Sequence, residues 1–217
     1  WIVPGSIKKN YDGQEAGGIV GQATGISVEI EDCKVIGSNE KPILIKAYNG
    51  GASSGILAYT SCKNTIIKNC KIQYLNIKNE KSTSNGKTGG IIGESDQGYI
   101  ACQGSYNTKR ENTTILNCLV EDCNITSVGT ECAGIFGATN GSYGGISEDY
   151  VANIQDCIVK NSYVAEYNPN NGSYNSVSGI YCAGYQSKGS IIKHCNVENC
   201  KTCFEGDLTK CNEYVEE

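Results

Sequence analysis

Across 217 residues the chain sets 18 Lys and Arg against 23 Asp and Glu, a net charge of −5, and it holds 27 Gly, 13 Cys, 3 Pro and no Met. That balance offers no basic patch for nucleic acid, and no apolar run of about 18 residues is present to cross a membrane as a helix. Neither a nucleic-acid partner nor membrane insertion is therefore expected. High Gly with so little Pro fits tight turns between short strands rather than disorder.

Residues 1–15 match nothing else in the chain and read as an N-terminal lead-in or cap; a start at Trp1 reads as processing or excision from a longer protein. From residue 16 to 202 two landmarks recur five times. The first is a short glycine strand: Gly17–Gly21, Ser54–Ala58, Gly89–Gly93, Ala133–Gly137 and Ser178–Cys182. The second is Ile-x-[Asp/Asn/His]-Cys-x-[Val/Ile], with its cysteine at Cys33, Cys70, Cys118, Cys157 and Cys195. A near-constant period in this range means a solenoid, a propeller or an array. Between the landmarks, Ile43–Tyr48 reads as a further strand. Residues 78–88, 94–112 and 166–176 read as polar loops. Residues 203–217 read as a C-terminal cap or tail.

The segments alternate over four to six residues and are rich in Ile, Val, Tyr and Thr, which is strand patterning. One residue type returning once per repeat fits strands laid in register, one coil on the next. The expected fold is all-β: a right-handed parallel β-helix, or β-solenoid, of about five coils. Period two puts Cys33 and Val35, and their equivalents in each repeat, on one inward face. Ile30 lies three before Cys33, so the chain must bend at Asp32, Asn69, Asn117, Asp156 and His194; Asp and Asn suit such corners. A second corner is expected at Gly37, Tyr74, Asp122, Asn161 and Asn199. The inward pairs after it are expected at Ser38/Glu40, Leu75/Ile77, Cys123/Ile125, Ser162/Val164 and Cys200/Thr202. In the glycine strand the same rule turns Ile19, Ile56, Ile91, Ile135 and Ile180 inward. It turns Gly18, Gly55, Gly90, Gly134 and Gly179 outward, beside an exposed apolar row of Val20, Leu57, Ile92, Phe136 and Tyr181. Large exposed apolar patches mark interfaces, so that row is the candidate interaction surface.

The Gly-Gly-Ile-Val-Gly strand followed by Ile-x-Asp/Asn-Cys-x-Val resembles the GLUG-type repeat of bacterial surface and adhesin-like proteins, over roughly residues 16–202. The glycines drift to Ser or Ala in the second, fourth and fifth repeats, and Cys182 replaces the last. The resemblance implies a β-solenoid on a cell surface and no catalytic residues.

Five cysteines in one slot fit a buried structural ladder, since a thiol behaves as a small hydrophobe. In-register neighbours about 4.8 Å apart, pointing the same way, suit free thiols better than disulfides. Cys62, Cys102, Cys132, Cys203 and Cys211 lie off the ladder and are the disulfide candidates. Metal sites want paired Cys-x2–4-Cys; Cys200-x-x-Cys203 stands alone, so no metal and no cofactor is expected. His194, the one histidine, fills a corner slot. Arg110 has no acidic cluster beside it. Carboxylates adjacent in sequence (Glu31-Asp32, Glu121-Asp122, Glu148-Asp149) point to different sides of a strand, against the facing pair that glycoside hydrolysis needs. No catalytic residues are expected. The expected role is a non-enzymatic extracellular or cell-surface structural or adhesive module, a filament subunit or part of a larger surface protein, which self-associates or adjoins other modules. The alternative is a β-helix that binds or cleaves carbohydrate, with glycans met by Tyr59, Tyr99, Tyr106, Tyr143, Tyr150, Tyr163, Tyr174 or Tyr185; a viral or phage fibre segment is a third reading.

Overall fold

The computed structural model describes residues 6–8, 15–48, 51–80, 86–96, 112–128, 131–140, 151–167, 176–182, 190–204 and 211–214. They form an all-β structure of 24 strands, with no helix among the described residues. Strand β1 (Ser6–Lys8) comes first. One pass then gives β2 (Ala16–Gly17), β3 (Val20–Glu31), β4 (Lys34–Ile36) and β5 (Ile43–Tyr48). The second gives β6 (Ser53–Ser54), β7 (Leu57–Lys68), β8 (Lys71–Gln73) and β9 (Leu75–Glu80). The third holds β10 (Lys87–Gly89), β11 (Ile92–Asp96), β12 (Asn112–Leu116), β13 (Leu119–Glu121) and β14 (Asn124–Ser127). The fourth holds β15 (Glu131–Ala133), β16 (Phe136–Asn140), β17 (Val151–Gln155), β18 (Ile158–Lys160) and β19 (Tyr163–Glu166). The fifth holds β20 (Ser176–Ser178), β21 (Ile191–Lys193), β22 (Asn196–Glu198) and β23 (Cys200–Phe204), and β24 (Cys211–Tyr214) follows.

Corresponding strands pair in parallel and in register, making four sheets. The glycine sheet is β2-β6-β10-β15-β20 and the valine sheet β4-β8-β13-β18-β22. The closing sheet is β1-β5-β9-β14-β19-β23-β24, and the remaining strands form the long sheet. Among the described residues the one antiparallel pair is β23 with β24. Thus β1 and β24 each add a rung to the closing sheet, one at either end. Strand β7 runs unbroken through the long sheet, pairing β11 with its first half and β12 with its second. In the third and fourth passes the described strands of that lane end at Asp96 and Asn140 and begin again at Asn112 and Val151; residues 97–111 and 141–150 lie outside the described residues.

Strand faces follow the period-two rule where the chain is straight. In β9, Leu75, Ile77 and Asn79 are buried while Asn76, Lys78 and Glu80 are half-buried. The strand thus runs through Lys78–Glu80, three residues into what the sequence reads as loop. The first set of corners forms throughout and the second forms at four of its five positions; Gly37, which precedes the inserted turn, does not take the left-handed conformation. Asp32, Asn69, Asn117, Asp156 and His194 have φ between 50° and 55°, and Tyr74, Asp122, Asn161 and Asn199 between 49° and 55°. This left-handed turn lets the next strand restart with its side chains facing inward.

Four further expectations fail, each where the chain bends or ends. The row Val20, Leu57, Ile92, Phe136 and Tyr181 is not an exposed strip. Leu57, Ile92 and Phe136 are 0% exposed and Tyr181 8%. Val20 is half-buried. The Phe136 and Tyr181 rings stack at 5.0 Å. These residues join Ile56, Ile91 and Ile135 in one apolar cluster. Residues 55–56 lie between β6 and β7, at a bend, so alternation does not carry across them. For the same reason the second glycine faces inward, not outward. A Cβ at Gly90 would stand 2.9 Å from Val120 Cγ2 and 2.0 Å from the Gly134 carbonyl oxygen, and Gly55, Gly134 and Gly179 meet Ile72, Val159 and Val197 likewise. Ile19, on the terminal pass, is 40% exposed. In the first pass the inward pair is not Ser38/Glu40, both exposed. Residues 38–42 are an inserted turn, and Ile43 and Ile45 take the slots of Leu75 and Ile77.

Candidate functional site

Behind the first corner lie Cys33, Cys70, Cys118, Cys157 and Cys195, all free thiols. Cys70, Cys118 and Cys157 are buried; Cys33 and Cys195, in the outer passes, are half-buried. Each inner thiol donates to the carbonyl two residues back, Cys70 to Lys68 at 3.3 Å, Cys118 to Leu116 at 3.3 Å and Cys157 to Gln155 at 3.2 Å. Each also reaches the isoleucine carbonyl of the preceding pass, at 3.7–3.9 Å. The thiols are electrostatically linked along the column. The hydrogen bond with Cys118 lowers the Cys70 thiol to about 7, and it lowers Cys157 as well. Cys118 itself is pushed up by its bonds to Cys157 and Cys70. Burial, first among the causes, raises Cys33 and Cys195. The shifts thus alternate along the buried stretch, down at Cys70 and Cys157 and up at Cys118 between them.

Of the disulfide candidates, Cys62 and Cys132 are buried free thiols. Cys132 turns into the core, donating to Ile125 O at 3.4 Å. Burial, chiefly, raises it well above the ordinary thiol range. Cys203 is disulfide-bonded, and its Cα partner across the antiparallel pair is Cys211. Cys102 lies outside the described residues. So do Arg110, Glu148-Asp149, Tyr99, Tyr106, Tyr143, Tyr150, Tyr174 and Tyr185.

The other adjacent carboxylates serve separate partners. Glu31 pairs with Lys68 at 3.2 Å while Asp32 forms the corner. Glu121 lies between Lys71 at 2.7 Å and Lys160 at 2.9 Å, and Asp122 accepts from Gln73 Nε2 at 3.2 Å. His194 Nδ1 stands 3.3 Å from Asp156 in the corner line. Below it Asn117 Nδ2 donates to Asn69 Oδ1 at 3.0 Å. Among the described residues no group of three or more His, Cys, Asp or Glu is placed to hold a metal ion.

The second corner line carries something different. Beside it runs the outward column of the closing sheet, where Asn76, Asn124 and Tyr163 stand in register. Between the two lies an open groove of about 440 Å³, lined by Tyr74, Asn76, Asp122, Asn124, Asn161 and Tyr163. Ser38, Asn39 and Pro42 of the inserted turn also line it. That turn is held by Ser38 N donating to Lys41 O at 3.2 Å and Lys41 N to Ser38 O at 3.1 Å. Burial, then the hydrogen bond with Tyr167, raises the Tyr163 hydroxyl to about 12, so it stays protonated. Of the tyrosines named as glycan candidates, Tyr163 lies in the groove and Tyr59 lies half-buried on the long sheet. Tyr74 was not among them, although it breaks a corner series otherwise made of Gly, Asp and Asn.

No family model, curated protein or solved structure matches this chain.

Proposed function

We propose that the chain is a right-handed parallel β-helix of five coils, and that it serves without catalysis as a structural or adhesive module outside the cell or on its surface. The observation that carries this reading is the in-register stack. Every pass repeats the same order of sheets, with parallel pairing from each pass to the next. The interior positions repeat with it, as in the buried column Val35, Ile72, Val120 and Val159. Right-handedness follows the strong preference of parallel crossovers. The motif likeness to GLUG-type repeats supports the surface location.

A stack of this kind is a rod whose sides are available for contact and whose length is set by repeat number. Cross-pass ion pairs line those sides, with Lys71, Glu121 and Lys160 on the valine sheet and Glu29, Glu31 and Lys68 on the long sheet. At the ends, Ile26 is 75% exposed and Ile192 49%. Those ends are where a neighbouring module or a second copy meets the chain. Light scattering over a dilution series with electron microscopy tests this. We expect short rods, or axial multiples of them, and adhesion of protein-coated beads to surfaces without sugar release from polysaccharides. Release of reducing sugar, or a globular particle with no axial repeat, overturns it.

A further inference from the structure

We propose that the groove beside the second corner line binds a neutral oligosaccharide, laid along the stack. The inference rests on the adhesive reading above and names the ligand class for one face of the rod.

The shape comes first. Residues from four successive passes line the groove: Pro42, then Tyr74 and Asn76, then Asp122 and Asn124, then Asn161 and Tyr163. Three steps of the ladder span roughly 14 Å, which suits an extended chain of rings rather than a compact ligand. The insertion at residues 38–42 walls one end.

The chemistry comes second. Asn39, Asn76, Asn124 and Asn161 bring primary amides to the lining. A side-chain amide both donates and accepts, as a sugar hydroxyl does. Tyr74 and Tyr163 add aromatic rings, whose negative faces attract the polarised C–H groups on the flat side of a pyranose. Among the described residues no Lys, Arg or His lines the groove, and Asp122 does. A phosphate or a uronate therefore finds no counter-charge there and one repelling carboxylate.

The backbone supplies an independent sign. Tyr74 sits at φ 55°, in a slot where other passes use Asp122, Asn161 and Asn199. A bulky aromatic is the costlier choice for a left-handed turn. Strain of this kind persists where the side chain is put to use.

The test is titration of the full chain, followed by amide NMR and calorimetry, with neutral hexasaccharides (β-1,4-glucan, xylan, chitin and mannan types) and an oligouronate as charge control. We expect saturable binding of at least one neutral oligomer, with shifts confined to Tyr74, Asn76, Asn124, Tyr163 and their neighbours. Tyr163→Ala and Asn124→Ala should each weaken binding tenfold or more while leaving the melting curve in place. Tyr59→Phe, away from the groove, should bind as the parent does. The inference is overturned if no neutral oligomer saturates, if the oligouronate binds equally well, or if the groove variants bind unchanged. Bead adhesion by the parent chain when no neutral oligomer binds it sinks the groove assignment and leaves the adhesive role standing. Sugar binding without adhesion does the reverse.

Discussion

The two corner lines share a backbone and differ in everything attached to it. At both, a residue with φ near 50° turns the chain from one sheet to the next, Gly37 of the second line excepted. The first line is Asp, Asn, Asn, Asp, His, with one cysteine behind each residue. Its side chains bond along the line, Asn117 to Asn69 and His194 to Asp156, and they face solvent. The second is Gly, Tyr, Asp, Asn, Asn, with Ile43, Leu75, Cys123, Ser162 and Cys200 behind it. A position that repeats is answering the same structural demand in each pass. A position that varies while its backbone holds still is free to serve something outside the chain, and the groove lies along the varied line.

The valine sheet is the wall common to both lines, so the most damaging change is expected there. Gly90→Ala puts a methyl against the Gly134 carbonyl and Val120 Cγ2, within 3 Å of both. Overpacking against backbone should cost about 3 kcal/mol and loosen both corners together, read by denaturant unfolding. A variant as stable as the parent would contradict the inward-facing glycine. Cys118→Leu acts behind the first line alone. It adds bulk to a slot 2% exposed and should cost about 2 kcal/mol, with oligosaccharide binding at the groove unchanged. Loss of binding there would mean that the two lines are not separable.

The repeat, the all-β class, the first corner and the cysteine column were legible because each rests on a local rule: period two, a left-handed residue, a slot of fixed size. The glycine strand was misread because period two was carried across the bend at Gly55-Ile56, where it has no force. That one step turned Leu57, Ile92 and Phe136 outward on paper and left Gly90 facing solvent. The groove was missed for another reason. It joins residues from four passes, and only the register brings Asn76, Asn124 and Tyr163 side by side. Two signals were nonetheless in the sequence: a tyrosine in an Asp/Asn corner series, and five extra residues between Gly37 and Ile43.

The corners themselves can be exchanged. Asn117→Ala removes the bond to Asn69 and leaves a Cβ residue without a polar tip at φ 50°; about 1 kcal/mol of stability should go. Tyr74→Asn installs on the second line the residue type that the first line favours. Stability should hold, or rise by up to about 1 kcal/mol as the strain at φ 55° is eased, while saccharide binding falls. Such a gain of stability with loss of function separates the two lines directly. If Tyr74→Asn instead unfolds the protein as readily as Gly90→Ala, the tyrosine is a packing residue and the contrast between the lines collapses.

The smallest effect expected lies between the two lines, at Glu121. Lys160 first, then Lys71, lower its carboxyl below the ordinary value of 4.5. The sign follows from linkage. A carboxyl whose folded pKa is depressed adds stability that is present above the unfolded value and lost as pH falls through the folded one. Glu121 therefore contributes at neutral pH, and its share fades below about pH 4.5, the ordinary value. Glu121→Gln should lower the melting point slightly at pH 7, and the gap from the parent should narrow as acid is added. Because the pair is partly exposed, salt should shrink the gap as well. Both changes should leave the groove's affinity for oligosaccharide untouched, since Glu121 faces the valine sheet's outer side and Asp122, not Glu121, lines the groove. An affinity that tracks Glu121 titration would place the second corner under the control of the ion pairs next to it.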